Sequence, residues 1–132
     1  MTEDRSQIAE DKTIRSYRDL KVYALSYQLA MNLFEISKAF PREEQYSLVD
    51  QMRRSSRSVP SNIREGYAKR RYKNIFIKHL HIALGSAEET RTWLEFANDC
   101  KYIEKETFSK LDSGYDEVSA MLYTLTNKWQ EF

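Results

Sequence analysis

The chain has little of what breaks or cross-links a backbone. Its 132 residues include three Gly and two Pro, so few positions suit tight turns or interrupt regular structure. A sandwich or barrel of many short strands needs turn residues in quantity, and this composition favours long helices instead. The one cysteine, Cys100, excludes an internal disulfide and fits a reducing cytoplasm. No apolar run approaches the roughly 20 residues of a membrane span. The polar, acidic start MTEDRSQIAEDKT is unlike a signal peptide, and residues 1–16, which lack regular apolar spacing, are expected to form a mobile tail before a bundle domain over 17–132.

The motifs of chemistry are also missing. There is no glycine-rich phosphate loop, no His-Glu-x-x-His and no Gly-x-Ser-x-Gly. Cys100 has no companion at zinc-like spacing. His79 and His81 lie about 200° apart on a helix, too far to share a metal. Glu88, Glu89 and Glu95 are not followed three residues later by the His of a di-iron bundle. Asn62 with Glu65, and Ser86 with Glu89, are expected to make local or inter-helix hydrogen bonds rather than to do acid–base work. The sequence therefore predicts a non-enzymatic protein with no metal and no other cofactor.

Four amphipathic segments are present. Val22, Leu25, Leu29, Leu33, Ile36 and Phe40 recur at three- and four-residue steps, predicting a helix over 18–39 that Pro41 ends. A second helix is expected from Glu43 or Glu44, where acids complement the positive helix start, to Ala68. Pro60 should kink it; the alternative is two shorter helices, the second capped by Ser58. The third spans 73–100. Phe76, Leu80, Ala83, Ala87, Leu94 and Ala97 make one stripe, and Ile75, Ile82, Trp93 and Phe96 make a second beside it. Ile77 and Leu84 widen it further, so the helix must touch more than one neighbour. Ala83, Gly85, Ser86 and Ala87 should let a helix approach closely. The fourth, over 105–129, carries Phe108, Leu111, Tyr115, Val118, Leu122, Leu125 and Trp129 at alternating steps of 3 and 4, with Gly114 an isolated weak point. Short connections then predict an all-α, antiparallel, up-down-up-down four-helix bundle.

Charge is segregated. Between residues 51 and 80 stand nine Lys or Arg and one acid, Glu65, a formal +8; the chain totals +1, so the remainder carries −7. Arg57 and Arg64 fall within about 40° of Arg53 on a helical wheel. Leu48, Met52, Val59 and Ile63 fall on the side that must enter the core. The arginine stripe, with Arg54 beside it and Lys69, Arg70, Arg71 and Lys73 at the next turn, suits a phosphate backbone. Tyr67 and Tyr72 flank the cluster and offer rings for an unpaired base. The competing reading is an assembly or adaptor protein whose basic face meets an acidic partner, or the acidic surface of another copy.

The run FPREEQYSLVDQMRRSSRSVPSNIREGYAKR, followed by FIKHLHIALGSAEETRTWL, resembles the four-helix bundle proteins encoded by intervening sequences in bacterial 23S rRNA genes. The family pattern is met by Phe40-Pro41, Glu44, Tyr46, Leu48, Gln51, Arg53, Arg54, the Ser58–Pro60 run, Asn62, Ile63, Glu65 and Gly66. Further on it is met by Ile82, Ala83, Gly85, Ser86 and Glu89, and the opening Tyr17–Val22 is also similar. The resemblance covers about residues 17–130. It implies a homopentamer with a central channel, and kinship with the accessory proteins of diversity-generating retroelements, which bind nucleic acid through basic surfaces. Members are often labelled S23 ribosomal proteins. The expectation is a cytoplasmic bacterial homo-oligomer that binds RNA or DNA, with no membrane association.

Overall fold

Leucine-rich stripes at helical spacing must be buried against one another, and here four helices share the burden. A computed structural model describes residues 16–129, all of whose regular elements are helical. They are α1 (Lys21–Ser37), α2 (Leu48–Ala68), α3 (Lys73–Asp99) and α4 (Lys105–Trp129), with short 3-10 turns at Tyr17–Asp19 and Arg42–Glu44. Residues 1–15 of the expected tail and 130–132 of the expected bundle domain lie outside the described residues. The main packing contacts join α1 to α2, α2 to α3, α3 to α4 and α4 back to α1, so each helix has two principal neighbours.

Most residues of the expected core stripes are buried, while Leu25, Ile36 and Phe108 pack against the core only partly buried. Val22, Leu29, Leu33, Met52, Val59, Ile63, Phe76, Leu80, Leu94, Val118 and Leu122 are all buried. One end of the bundle is closed by edge-to-face rings, Tyr67 against Phe76 and Phe76 against Trp129. Phe40 and Tyr102 close the other. Such pairs contribute about 0.5–1.5 kcal/mol beyond their buried area.

The helix ends differ from expectation in instructive ways. α1 stops at Ser37, two residues early, because the amides of Lys38, Ala39 and Phe40 donate to carbonyls three residues back and tighten the chain before Pro41. α2 starts at Leu48, not at Glu43 or Glu44. The Glu44 carboxylate anchors it from outside, accepting from the Ser47 hydroxyl (2.6 Å) and the Leu48 amide (3.3 Å). Those bonds, Ser47 first and then that from the Tyr102 hydroxyl, hold Glu44 below the ordinary carboxylate range. The phenol of Tyr102 is correspondingly pushed up to about 12, chiefly by donating to Glu44 at 2.8 Å. α2 runs through Pro60 as one helix, with Ser58 inside it rather than capping a second.

Two glycines sit at close approaches. A Cβ at Gly66 would lie 2.6 Å from His79 Cβ on α3, and one at Gly114 would lie 2.8 Å from Leu29 Cδ2 on α1. Gly114 is thus a packing position rather than a mere weak point. Gly85 is the reverse: nothing lies within 4 Å of its would-be Cβ, so the close approach expected there rests on Ala83 and Ala87, both fully buried.

Candidate nucleic-acid interface

With Met52, Val59 and Ile63 turned into the core, the register of α2 carries its arginines to the side facing α1 and to solvent. The three members of the expected stripe meet different fates. Arg53 is half-buried: its Nε donates to Ser37 Oγ (2.9 Å) and a terminal nitrogen donates to the Phe34 carbonyl (3.2 Å). Its guanidinium also lies 4.6 Å from the centre of the Phe34 ring. α1 has no basic residue in its own last turn, so Arg53 supplies the cation that helix end favours. These bonds give Arg53 a structural role at the end of α1. Arg57 and Arg64 are exposed, Arg57 set 5.8 Å from the Phe34 ring centre and Arg64 4.3 Å from that of Tyr17.

Arg54 is exposed and 3.9 Å from Asp50. At the α2–α3 connection, Lys69 pairs with Glu65 at 3.1 Å, and that hydrogen bond is the main reason the Glu65 carboxyl titrates low. Arg70 caps the end of α2 by donating to the Tyr67 carbonyl (3.0 Å) and lies 4.0 Å from the Tyr67 ring centre. Arg71 stands 5.8 Å from the ring of Tyr72. Lys73, half-buried, opens α3. The two expected stacking residues part company: Tyr72 is 58 % exposed, whereas Tyr67 is 5 % exposed. Phe76 and Arg70 cover the Tyr67 ring, which removes it from the surface that a base could reach.

The polar residues of α2 and α3 form a seam between the two helices. Thr90 Oγ1 meets Ser55 Oγ (2.8 Å), Ser86 Oγ donates to Ser58 Oγ (2.9 Å), and His79 Nδ1 lies 2.9 Å from Asn62 Oδ1. Asn62 in turn donates to the Ser58 carbonyl and hydroxyl, which leaves its Oδ1 to accept from His79. The expected Ser86–Glu89 pairing gives way to Trp93 Nε1 donating to Glu89 at 3.2 Å. Across α3 and α4, Arg91 forks onto both oxygens of Asp112 (2.8 and 3.1 Å) and reaches Asp116 and Glu88. These groups satisfy one another, and no cluster of His, Cys, Asp or Glu suited to a metal exists among the described residues. Among the described residues no helix is long and apolar enough to cross a membrane.

Sequence reading missed the aromatic side of α1. Tyr23, Tyr27 and Phe34 stand opposite Arg57 and Arg64, with Tyr17 joining from the preceding turn. The signal was present as a second run at steps of 4, 4 and 3 (23, 27, 31, 34), in the shadow of the leucine stripe.

Residues 18–124 match the sequence model of a family described as 23S rRNA-intervening sequence protein. A crystal structure of a protein of unknown function from the S23 ribosomal protein family of Bacteroides thetaiotaomicron VPI-5482 is similar. It aligns with a TM-score of 0.73 at 28 % identity, over 80 % of this chain and 95 % of that one. No curated protein matches the chain.

Proposed function

This chain belongs to the 23S rRNA-intervening sequence protein family, and from that premise we propose that it is a non-enzymatic, cytoplasmic homo-oligomer that binds RNA or DNA by phosphate contacts. The observation that carries the reading is the state of the basic face. Arg57, Arg64, Arg70 and Arg71 are exposed and make no ion pair among the described residues. Arg54 and Lys69 pair only with acids one turn away on the same exposed helix, contacts worth a few tenths of a kcal/mol that a phosphate displaces readily. Arg57, Arg64 and Arg71, set beside rings, keep their N–H edges available for bidentate phosphate recognition, whereas Arg70 spends one N–H on the Tyr67 carbonyl.

The subunit arrangement follows the same premise. Paired residues rise along α2 as they fall along α3 (55 with 90, 58 with 86, 62 with 79), which supports an up-down-up-down order. Ile75, Ile82 and Phe96 are 41 %, 43 % and 53 % exposed on one side of α3, and this apolar stripe is where subunits of a pentamer would meet.

Titration of the purified chain with structured RNA and with duplex DNA over a salt series tests the binding. The expected result is an affinity that falls linearly with salt on logarithmic axes. The double variant Arg57→Glu, Arg64→Glu should bind more weakly and lower the slope by about 2. Absence of binding to either ligand at the lowest salt overturns the proposal and leaves an acidic protein partner as the occupant of this face.

A further inference from the structure

The basic face does not end on α2. Between α1 and α2 runs an open groove of about 340 Å³, walled by Tyr23, Tyr27, Met31, Phe34, Arg57 and Arg64. It adjoins a second of about 510 Å³, which shares Tyr23, Tyr27 and Arg64 and adds Tyr17 and Arg18. None of the described residues lining either groove is acidic. The rings are arrayed in sequence: Tyr17 and Tyr23 are 4.7 Å apart centre to centre, Tyr23 and Tyr27 6.0 Å. Tyr27 is 52 % and Met31 43 % exposed, so apolar and aromatic surface faces water here without cover from the chain's described residues. Both volumes lie within the roughly 300–1,000 Å³ of clefts that hold flat organic groups.

We propose that this paired groove is a stacking site for single-stranded nucleic acid, with unpaired bases laid on Tyr27 and Tyr23 and the flanking phosphates held by Arg57, Arg64 and Arg18. Exposed and half-exposed rings interleaved with arginines, with no carboxylate among the described lining residues, match the two faces of a single strand: apolar base planes and an anionic backbone. A duplex offers the backbone but keeps its bases inside, so it would use the arginines and not the tyrosines. The inference rests on the proposed nucleic-acid binding and narrows it to a class of strand and a place on the fold.

The test uses the full chain with fluorescein-labelled 15-mers of oligo-U and oligo-dT and a 15-base-pair duplex, at one low salt concentration. Tyr27→Leu keeps apolar bulk but removes the π face; it should weaken both single strands about 5- to 100-fold and leave the duplex within about twofold. Tyr27→Phe, which keeps the ring, should restore single-strand affinity. Met31→Glu, which places a carboxylate on the stacking surface and beside Arg57 and Arg64, is a second variant that should weaken both single strands and, by a smaller factor, the duplex. Equal losses for strand and duplex, or single-strand binding indifferent to both variants, overturn the stacking groove while leaving the phosphate-binding face intact. Absence of wild-type binding to all three probes sinks both readings. A change in mass on light scattering for Tyr27→Leu or Met31→Glu would make the groove a subunit contact and overturn the proposal.

Discussion

At the scale of single residues, similar side chains do opposite jobs a few positions apart. Arg53 and Arg57 lie one helical turn from each other, yet the first is bonded into the end of α1 and the second stands over the same Phe34 ring with its edge in water. Arg53→Ala removes two charge-assisted hydrogen bonds and should cost about 1–2 kcal/mol of folding stability. Arg57→Ala, at an exposed site, should stay within about 0.5 kcal/mol of wild type. Urea unfolding of the two variants beside wild type, at constant m-value, checks the contrast, and equal effects would show that Arg53 is not a cap. The tyrosines divide in the same way, Tyr67 closing the core and Tyr27 facing solvent. Neither division is legible in the sequence. A helical wheel assigns a direction, but whether that direction meets water or a neighbouring helix end depends on where α1 lies.

At the scale of elements, spans are set by periodicity and ends by local chemistry. The limits of α3 and α4 are legible because their apolar residues recur at helical spacing up to the last turn. The start of α2 is not, because its anchor, Glu44, acts from a separate 3-10 turn four residues upstream. The end of α3 shows chemistry working against propensity. Tyr102 N–H donates to the Ala97 carbonyl and Lys101 N–H to that of Asn98, a Schellman closure that places Lys101 at φ 64°. A lysine pays a steric penalty there that glycine avoids. Lys101→Gly should therefore raise stability by about 0.5–1 kcal/mol, a gain net of glycine's greater freedom in the unfolded chain, and thermal melts would register it as an increase of several degrees in Tm. A decrease would mean that the unfolded-state entropy outweighs the relief of strain.

At the scale of the whole molecule, burial is unevenly completed. The core side of α3 is filled, while Ile75, Ile82 and Phe96 remain about half exposed on its surface, at a potential gain of about 0.5–1.5 kcal/mol for each when later covered. For the proposed homo-oligomer, Phe96→Glu is expected to lower the mass on light scattering from that of the wild-type oligomer to that of a monomer while helicity by circular dichroism stays near wild type. A variant mass equal to that of an oligomeric wild type would place the contact elsewhere, and a monomeric wild type would overturn the oligomer itself. The exposed stripe was legible in advance, since α3 is apolar over more of its girth than one bundle face accommodates. Much was determined by the sequence alone: the all-helical class, four helices with their core stripes, the family, and a basic segment centred on α2. These follow from local spacing and composition, which need no knowledge of what lies across the core. Tertiary structure alone decided that Arg53 caps α1 and that Gly114 admits Leu29. It likewise decided that Tyr67 is sealed off, and that tyrosines from α1 join arginines from α2 in one groove. Each of these depends on residues distant in the chain being brought within a few ångströms, and no one-dimensional pattern records that distance.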